Sequence, residues 1–304
     1  MLVHGDAARI WMALSDETPS SGAELRGALS RDLADAYDCD DVSGLLADLE
    51  EAGVVERPDA PIELGYDAVA DDYDARPPHD DALFARIAAH TRAAHWEDVL
   101  EVGCGTGVVL ERLASHGAKR LHGIDVSRRM LARAAERVAR AGFQAELQLA
   151  RAEALPFEDD SLAMIVLASA HGWVEMDAFW AEARRVLRPD GRVVLLTTLP
   201  DARFFEVLRE LGAYDPSVVG AAAATLAHDL PHDVGLVSYE RLRGQMTIES
   251  PQRLAAMARS LVPPGHPGAV TVEAESLVGS GLQWPQTFEW IAPLAVLELL
   301  PREP

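Results

Sequence analysis

Three glycines and two carboxylates carry the clearest chemical signature in this chain. Gly103, Gly105 and Gly107 alternate directly after an apolar run. Glycine lets a backbone approach a ligand closely and leaves the N–H groups of a following helix free to bind it. Glu101 precedes the first glycine, and Asp125 ends the next apolar run. An acid in that second position can accept hydrogen bonds from both hydroxyls of a ribose.

The spacing of the glycines separates two kinds of nucleotide site. A dinucleotide fold places G-x-G-x-x-G before a helix that faces a pyrophosphate. Here the spacing is G-x-G-x-G, and the Glu101 carboxylate suits a ligand with cationic groups better than a pyrophosphate. For the glycines taken alone, a generic tight turn or a nicotinamide site is the alternative interpretation.

Alternating strand and helix patterns surround these residues. Between positions 99 and 199, short apolar runs alternate with segments of helical periodicity. Such units predict an α/β fold, with a Rossmann-like, doubly wound, mostly parallel sheet of seven strands and helices on both faces. Two late strand patterns, 234–249 and 286–299, predict an antiparallel hairpin at the edge of the sheet.

Two further units flank the predicted sheet. Residues 1–60 show three short helix patterns and a short strand, which predicts a small helical or winged-helix-like module. Prolines near position 60 mark a linker, so residues 61–304 are predicted as the second domain. Within it, residues 201–235 are predicted as a helical cap over the carboxyl ends of the strands.

The charge balance argues against several partners. The chain has 27 basic and 49 acidic residues, a formal net charge of -22. Such a surface repels phosphate backbones and anionic lipid, so we expect no nucleic-acid and no membrane partner. The N-terminus lacks the basic start of a signal peptide, and no apolar run is long enough for a membrane helix, which predicts a cytoplasmic protein. Two cysteines far apart give no metal spacing, so no metal is expected.

Four motifs resemble those of class I methyltransferases that use S-adenosylmethionine (SAM), in particular the type 11-like group. VLEVGCGTG is similar to the family's first motif and IDVSRRML to its second. ARAEALPFEDDSLAMIV resembles the third motif, and EARRVLRPDGRVVLLT resembles the helix, turn and strand that follow the fourth strand. The resemblance covers about residues 65–199 in consistent order. It implies SAM as the cofactor and S-adenosylhomocysteine as the product.

The resemblance also implies roles for individual residues in SAM binding. Asp125 would hold the ribose, and Met130 would lie against the adenine. The main chain near Ala152 and the side chain of Glu153 would border the adenine as well. Arg151 stands where the third motif usually has an acid, which leaves the adenine amine to main-chain carbonyls. The other implied cofactor contacts are Tyr73, Glu101, Gly103, Cys104, Gly105, Gly107, Val126 and Ala168.

Tyr66 and Tyr73 belong to a segment, 65–78, that is predicted as one helix. Seven residues apart on a helix, both rings fall on one face. Similar family members close over SAM with a tyrosine from this helix, whereas a core aromatic is the ordinary interpretation of such a residue.

The acceptor must be aligned with the methyl group and shielded from water, since transfer from a sulfonium is an in-line displacement. An amine or hydroxyl acceptor also needs a base, for which His171 after the fourth strand is the candidate. A structural role, or a place beside SAM, is the alternative for this histidine. The residues predicted to contact the acceptor are Tyr66, Trp173, Glu175 and His228.

Residues 5–57 resemble the helical part of the peptide-chaperone domain of pyrroloquinoline-quinone biosynthesis. Domains of that type recognise leader peptides of ribosomally made, modified peptides. A plain winged-helix module, serving as a homodimer interface or a pocket wall, explains the same residues. The acidic composition and the resemblance to a peptide-recognition domain together lead us to expect N-methylation of an amine on such a peptide. O-methylation of a small-molecule secondary metabolite is the main alternative, and a non-catalytic SAM-binding scaffold is a distant one.

Overall fold

The computed structural model describes residues 62–75, 81–170, 173–196, 199–200, 204, 207, 230–261 and 283–300. The predicted module of residues 1–60 lies outside this part of the chain, as does most of the predicted cap at 201–235.

The described chain begins with helices and continues as alternating strands and helices. Its first elements are α1 (Ile62–Val69), a 3-10 turn (Tyr73–Ala75), α2 (Asp81–Ala89) and a second 3-10 turn (Ala93–Trp96). The alternating core consists of β1 (Asp98–Val102), α3 (Val108–Ser115), β2 (Arg120–Asp125), α4 (Arg128–Ala141), β3 (Glu146–Leu149), β4 (Leu162–Ala168), α5 (Met176–Val186) and β5 (Leu187–Leu196). The last elements are β6 (Leu199–Pro200), β7 (Val234–Ile248), α6 (Pro251–Leu261) and β8 (Gln286–Leu299).

The strands form one mixed sheet in the order β3-β2-β1-β4-β5-β8-β6, with β7 paired to β8. Strands β1 to β5 are parallel, whereas β8 runs antiparallel to β5, β6 and β7. Leu196 of β5 pairs with Leu294 of β8, and Leu199 of β6 pairs with Ile291 of β8. Strand β6 therefore keeps the register of β5 and extends it. The eight strands of the described chain thus occupy seven positions, which confirms the predicted sheet and its antiparallel edge.

Strand β4 shows why the centre of the sheet is apolar throughout. Met164 and Val166 pack in a layer with residues of α2, α3 and α6, while Ile165 and Leu167 pack in the opposite layer with residues of α5. Successive side chains of a strand point to opposite faces, so a strand covered on both faces needs apolar residues at every position. The unbroken apolar run of β4 follows from this double burial.

Helix α4 is fixed at both ends by its own sequence. The hydroxyl of Ser127 accepts a hydrogen bond of 3.0 Å from the N–H of Met130, which caps the first turn. Gly142 ends the helix in the left-handed conformation, with its N–H on the carbonyl of Val138. The cap places the first turn of α4, and with it Met130, beside the carboxyl end of β2.

The predicted single helix over residues 65–78 is wrong. Helix α1 ends at Val69, and the N–H of Asp72 closes a turn on the Val69 carbonyl at 3.0 Å. Aspartate side chains form hydrogen bonds that compete with a helical backbone. Here the side chains of Asp71 and Asp74 accept hydrogen bonds from arginines of α4. Tyr73 therefore begins a separate 3-10 turn.

None of the helices in the described ranges combines the length and apolarity that crossing a bilayer requires.

Candidate functional site

An open cleft of about 650 Å³ lies where β1, β2 and β4 end. In the sheet order, β1 lies between β2 and β4, so the direction of strand addition reverses at this point. Open α/β sheets bind their ligands at such switch points, beyond the carboxyl ends of the strands. The cleft is therefore the candidate functional site.

The glycine loop after β1 forms one wall of the cleft. Gly103 has a φ of 68°, and a Cβ atom there would lie 2.7 Å from the Cβ of Ala170. Only glycine fits both the backbone conformation and this close contact with the segment after β4. A Cβ on Gly105 would meet the ring of Tyr73 at 3.4 Å, so that ring lies directly over the loop. Gly107 packs against α4 instead, where a Cβ would lie 3.2 Å from that of Ala134.

Asp125 holds the loop from the end of β2. Its Oδ2 accepts a hydrogen bond of 2.8 Å from the N–H of Gly105, and its Oδ1 accepts one of 2.8 Å from the N–H of Ser127. Asp125 is 8% exposed, and burial raises its pKa while these main-chain donors oppose the rise. A carboxylate oxygen has two lone pairs, so both oxygens can accept a second hydrogen bond from a ligand in the cleft.

Glu101 is a second carboxyl group beneath the loop. It is 2% exposed, and its Oε2 has no hydrogen-bond partner within the described part of the chain. Burial, and after it the charge of Asp125, raise the pKa of Glu101 well above the ordinary value. Of the two acids we assign the proton to Glu101, because Asp125 has two main-chain donors that stabilise its charge.

Aromatic rings form the opposite wall of the cleft. The ring of Tyr66 packs edge-to-face on Tyr73, with centroids 6.2 Å apart, and on Trp173, with centroids 5.9 Å apart. Val69 packs beside them on Met130, which is buried at the base of this wall. Such a wall offers an apolar surface for a planar ring and π faces for a cationic group.

Glu153 and its neighbours close one end of the cleft. Its Oε1 accepts a hydrogen bond of 2.9 Å from the N–H of Glu175, and its Oε2 lies 3.4 Å from the Nε of Arg151. Glu153 thereby connects the end of β3 with the start of α5. The side chain of Glu175 accepts from the N–H of Asp177 at 3.4 Å and caps that helix.

Most of the residues predicted to bind the cofactor line the cleft. These are Tyr73, Gly103, Gly105, Asp125, Val126, Met130, Ala152, Glu153 and Ala168. Glu101, Cys104 and Gly107 are not among the residues that line the cleft. Cys104 packs in the apolar layer beside Gly123, and burial raises the pKa of its thiol, so this thiol faces the core.

The predicted acceptor residues divide into three groups. Tyr66 and Trp173 line the cleft. Glu175 is exposed and caps α5, outside the cleft lining. The candidate base His171 and the cap residue His228 lie outside the described residues.

The sequence did not single out several residues of the cleft. These are Val102, Ile124, Ala150, Ser169, Ala170 and Val174. Val102 is the last residue of its strand and Ile124 the last but one, so strand ends could have indicated them. Ser169 has a φ of 57° and donates its N–H to the carbonyl of Leu196 at 2.7 Å. A left-handed serine has no sequence signal, and such residues cluster at functional sites.

In the part of the chain that the structure describes, no group of three or more histidine, cysteine or acidic side chains is arranged to hold a metal ion.

Comparisons with known proteins agree with this geometry. Residues 99–191 match a family described as "Methyltransferase domain". The chain is 32% identical over 162 residues to malonyl-[acyl-carrier protein] O-methyltransferase of Hahella chejuensis, covering 52% of this chain and 56% of that protein. It is 40% identical over 114 residues to phosphatidylethanolamine N-methyltransferase of Cereibacter sphaeroides, covering 36% of this chain and 55% of that protein.

The chain thus spans about half the length of these curated relatives. A solved structure from work on converting a disulfide bond into a thioacetal group during echinomycin biosynthesis has a TM-score of 0.50 and 17% identity. That alignment covers 79% of this chain and 93% of the other, and it shows a shared fold. The family match and the curated relatives support a methyltransferase domain.

Proposed function

We propose that this protein transfers a methyl group from SAM to a nucleophilic acceptor. The observation that carries the proposal is the Asp125 carboxylate, which lines the cleft at the end of β2 and already binds the glycine loop. An acid at that position of a doubly wound sheet suits the two hydroxyls of a ribose. The match of residues 99–191 to a methyltransferase domain supports the same conclusion.

The other residues of the cleft fit the remaining parts of SAM. Met130 and the aromatic wall provide apolar surface for the adenine. The loop at Gly103 allows close approach of the amino-acid end, and the unpartnered Oε2 of Glu101 beneath it can accept a hydrogen bond from an ammonium group or from a bridging water. These features support SAM as the ligand of the cleft.

The protein's contribution to the reaction is alignment and exclusion of water. SAM supplies an electrophilic methyl group on a sulfonium. Asp125 and the glycine loop fix the ligand, while Tyr73 above Gly105 shields the loop from solvent. Holding two reactants in line converts a bimolecular step into an effectively unimolecular one. His171 remains the proposed base for the acceptor's proton.

We propose an amine as the acceptor. Tyr66 and Trp173 place aromatic rings in the lining of the cleft, and the chain carries a formal net charge of -22; both features favour a cationic group over an anionic one. The resemblance of residues 5–57 to a peptide-binding domain supports a modified peptide as the carrier of that amine. A hydroxyl on a small secondary metabolite is the second candidate, in keeping with the O-methyltransferase named among the relatives.

Calorimetric titration of the full chain with SAM and with S-adenosylhomocysteine tests the cofactor. We expect micromolar binding of both and its loss in Asp125→Ala. Asp177→Ala is the matched control, because Asp177 is an exposed aspartate that does not line the cleft. Binding of NADH without binding of either SAM or its product would overturn the proposal.

Mass spectrometry of acceptors incubated with the protein and SAM tests the second part. The panel contains a peptide with primary amines, the same peptide with its amines acetylated, and a phenol. We expect methyl groups on the first peptide and none on the acetylated one. Methylation confined to the phenol would contradict the amine and support the hydroxyl.

A further inference from the structure

Residues 62–75 form a strap along one side of the cleft. The strap consists of α1, the turn after it and the 3-10 turn that begins at Tyr73. Tyr66 and Tyr73 face the cleft, and the ring of Tyr73 lies against the glycine loop at Gly105. Val69 packs on Met130 beneath the strap. A ligand lying along the loop would therefore be covered by this segment.

A row of aspartates on the strap faces a row of arginines on α4. Asp67 accepts a hydrogen bond of 3.0 Å from the N–H of Arg129, and its carbonyl accepts one of 2.9 Å from the side chain of the same arginine. Asp71 accepts from the Nη2 of Arg129 at 2.8 Å and from the Nε of Arg133 at 3.1 Å. The two arginines are four residues apart on α4 and so lie on one face of it, whereas Asp67 lies on α1 and Asp71 in the turn after it.

Asp74 extends this row onto the glycine loop. Its Oδ2 accepts from Nη2 of Arg137 at 2.5 Å, and its Oδ1 accepts from the hydroxyl of Thr106 at 2.5 Å. Arg137 also donates to the carbonyl of Thr106 at 2.9 Å. Thr106 lies between two glycines of the loop. Asp74, the residue after Tyr73, is therefore bonded directly to the loop that Tyr73 covers.

The strap also contacts helix α6. Arg259 of α6 donates to Oδ2 of Asp72 at 2.7 Å. Four attachments, at Asp67, Asp71, Asp72 and Asp74, thus join a segment of fourteen residues to α4, the glycine loop and α6. The attachments at Asp71, Asp72 and Asp74 are ion pairs, and the first is open to solvent: the side chain of Asp71 is 54% exposed and that of Arg129 is 51% exposed.

We propose that these aspartate–arginine pairs are a latch which sets the rate of cofactor exchange, with Asp74 as the residue that positions Tyr73 over the loop. The proposal rests on the proposed function, because it takes SAM and its product as the ligands of the cleft. The covered ligand leaves, and a new one enters, only when the strap lifts. Lifting the strap separates the charged rows, and exposed pairs of this kind are weakened by salt.

A latch and a ligand contact have different kinetic signatures. A group that only binds the ligand raises the dissociation rate constant when it is removed and does not raise the association rate constant. When a group that only holds the strap closed is removed, both rate constants rise, because the strap then opens more often for ligand entry and for ligand release. The ratio of the two constants, and so the Kd, then changes less than either constant.

Stopped-flow tryptophan fluorescence with S-adenosylhomocysteine measures both constants, and Trp173 in the wall is the expected reporter. This ligand has no net charge, so salt acts mainly on the protein. The variants are Arg133→Gln, Asp71→Asn and Asp74→Asn. Arg140→Gln is the matched control, because Arg140 is an exposed arginine on the same helix, outside the row.

We expect both rate constants to rise about two- to fivefold in Arg133→Gln and Asp74→Asn, the range for one exposed charged pair, and to stay unchanged in Arg140→Gln. Raising NaCl from about 50 mM to about 500 mM should speed exchange in the unaltered protein and do so less in Arg133→Gln. A double variant, Asp71→Asn with Arg133→Gln, should show less than the combined effect of the two single changes, since both remove the same pair.

The outcomes separate this proposal from the one on which it rests. If the unaltered protein does not bind S-adenosylhomocysteine, the proposed function fails and the latch fails with it. If binding occurs but both rate constants of Arg133→Gln and Asp74→Asn match those of Arg140→Gln, the latch alone is overturned. A higher dissociation rate constant with an unchanged association rate constant also overturns it, since that result describes a lost contact with the ligand. Arg133 is exposed, so its variant tests the proposal even if Asp74→Asn does not fold.

Discussion

The two walls of the cleft are held in place by different physical means. On the glycine-loop side, Asp125 and Glu101 are almost completely buried, and Asp125 is fixed by two main-chain N–H groups. On the strap side, Asp71 and Arg129 are each about half exposed and meet through side chains alone. Buried bonds to main-chain donors are little affected by solvent, whereas exposed pairs are screened by salt.

This difference suggests a division of labour. The glycine-loop wall is formed before any ligand arrives, because its bonds lie within the sheet and its connecting turns. The strap is attached largely through exposed ion pairs, such as those of Asp71 with Arg129 and Arg133, which solvent can replace at little cost. A rigid wall that fixes the ligand and a second wall that opens would together bind a cofactor tightly and still exchange it.

Gly103→Ala tests the rigidity of the loop and should have the largest effect. The new Cβ would lie 2.7 Å from that of Ala170, in a backbone with a φ of 68°. We expect a loss of about 2–5 kcal/mol in the free energy of unfolding, the sum of a left-handed backbone and an overpacked contact. Gly142→Ala is the control, because it has a φ of 75° and nothing within 4 Å of its Cβ position. Equal losses in urea denaturation would show that the contact contributes nothing.

Asp125→Asn compares the two walls through ligand affinity. The amide keeps the shape of the side chain but replaces one of two acceptors with a donor, which then faces a main-chain N–H. We expect affinity for SAM to fall about 100-fold, as for lost hydrogen bonds to a charged group. Asp71→Asn removes the same charge from the strap and should change Kd less than fivefold in the same calorimetric titration. Similar losses in both variants would contradict the division between the walls.

Glu101→Gln tests the buried proton. Burial raises the pKa of Glu101 in the folded protein, so between the ordinary carboxyl pKa and the raised value the folded state binds a proton that the unfolded state has lost. The stability contributed by this group is therefore complete below the ordinary pKa and is lost as the pH rises towards the raised one.

The glutamine variant cannot ionise, so it escapes this loss. Relative to the unaltered protein, its free energy of unfolding should increase as the pH rises above about 4.5, by up to about 1.4 kcal/mol for each pH unit. Denaturation of both proteins at several pH values between about 5 and 8 measures the difference. A difference that does not vary with pH would show that Glu101 is ionised in the folded protein.

Amide hydrogen exchange compares how often the two walls open without any ligand. We expect this effect to be the smallest of those described. Raising the salt concentration should speed amide exchange in residues 62–75 a few-fold and leave residues 99–107 unchanged. Mass spectrometry of peptides from the two segments gives the rates. Faster exchange in both segments would indicate a general loss of stability rather than opening of the strap.

Local patterns were sufficient for the sheet. Apolar runs such as β4, alternating with helix-period segments, predicted the mostly parallel sheet, because burial on both faces leaves a clear pattern in the sequence. Two late strand patterns close together predicted the antiparallel edge. The strap was predicted less well. Its aspartates do not form one helix, because Asp71 and Asp74 bond to arginines more than fifty residues away, which no local pattern indicates.

The sequence by itself determined the glycine loop, the acid at Asp125 and the alternating fold, since each depends on neighbouring residues and on backbone conformation. Only the tertiary structure decided which of these residues face the cleft. It turned Cys104 into the core, used Glu175 to cap a helix and placed Ser169 in a left-handed conformation. The physical reason is that these outcomes depend on packing and hydrogen bonds between segments that are distant in the chain and meet only in the folded sheet.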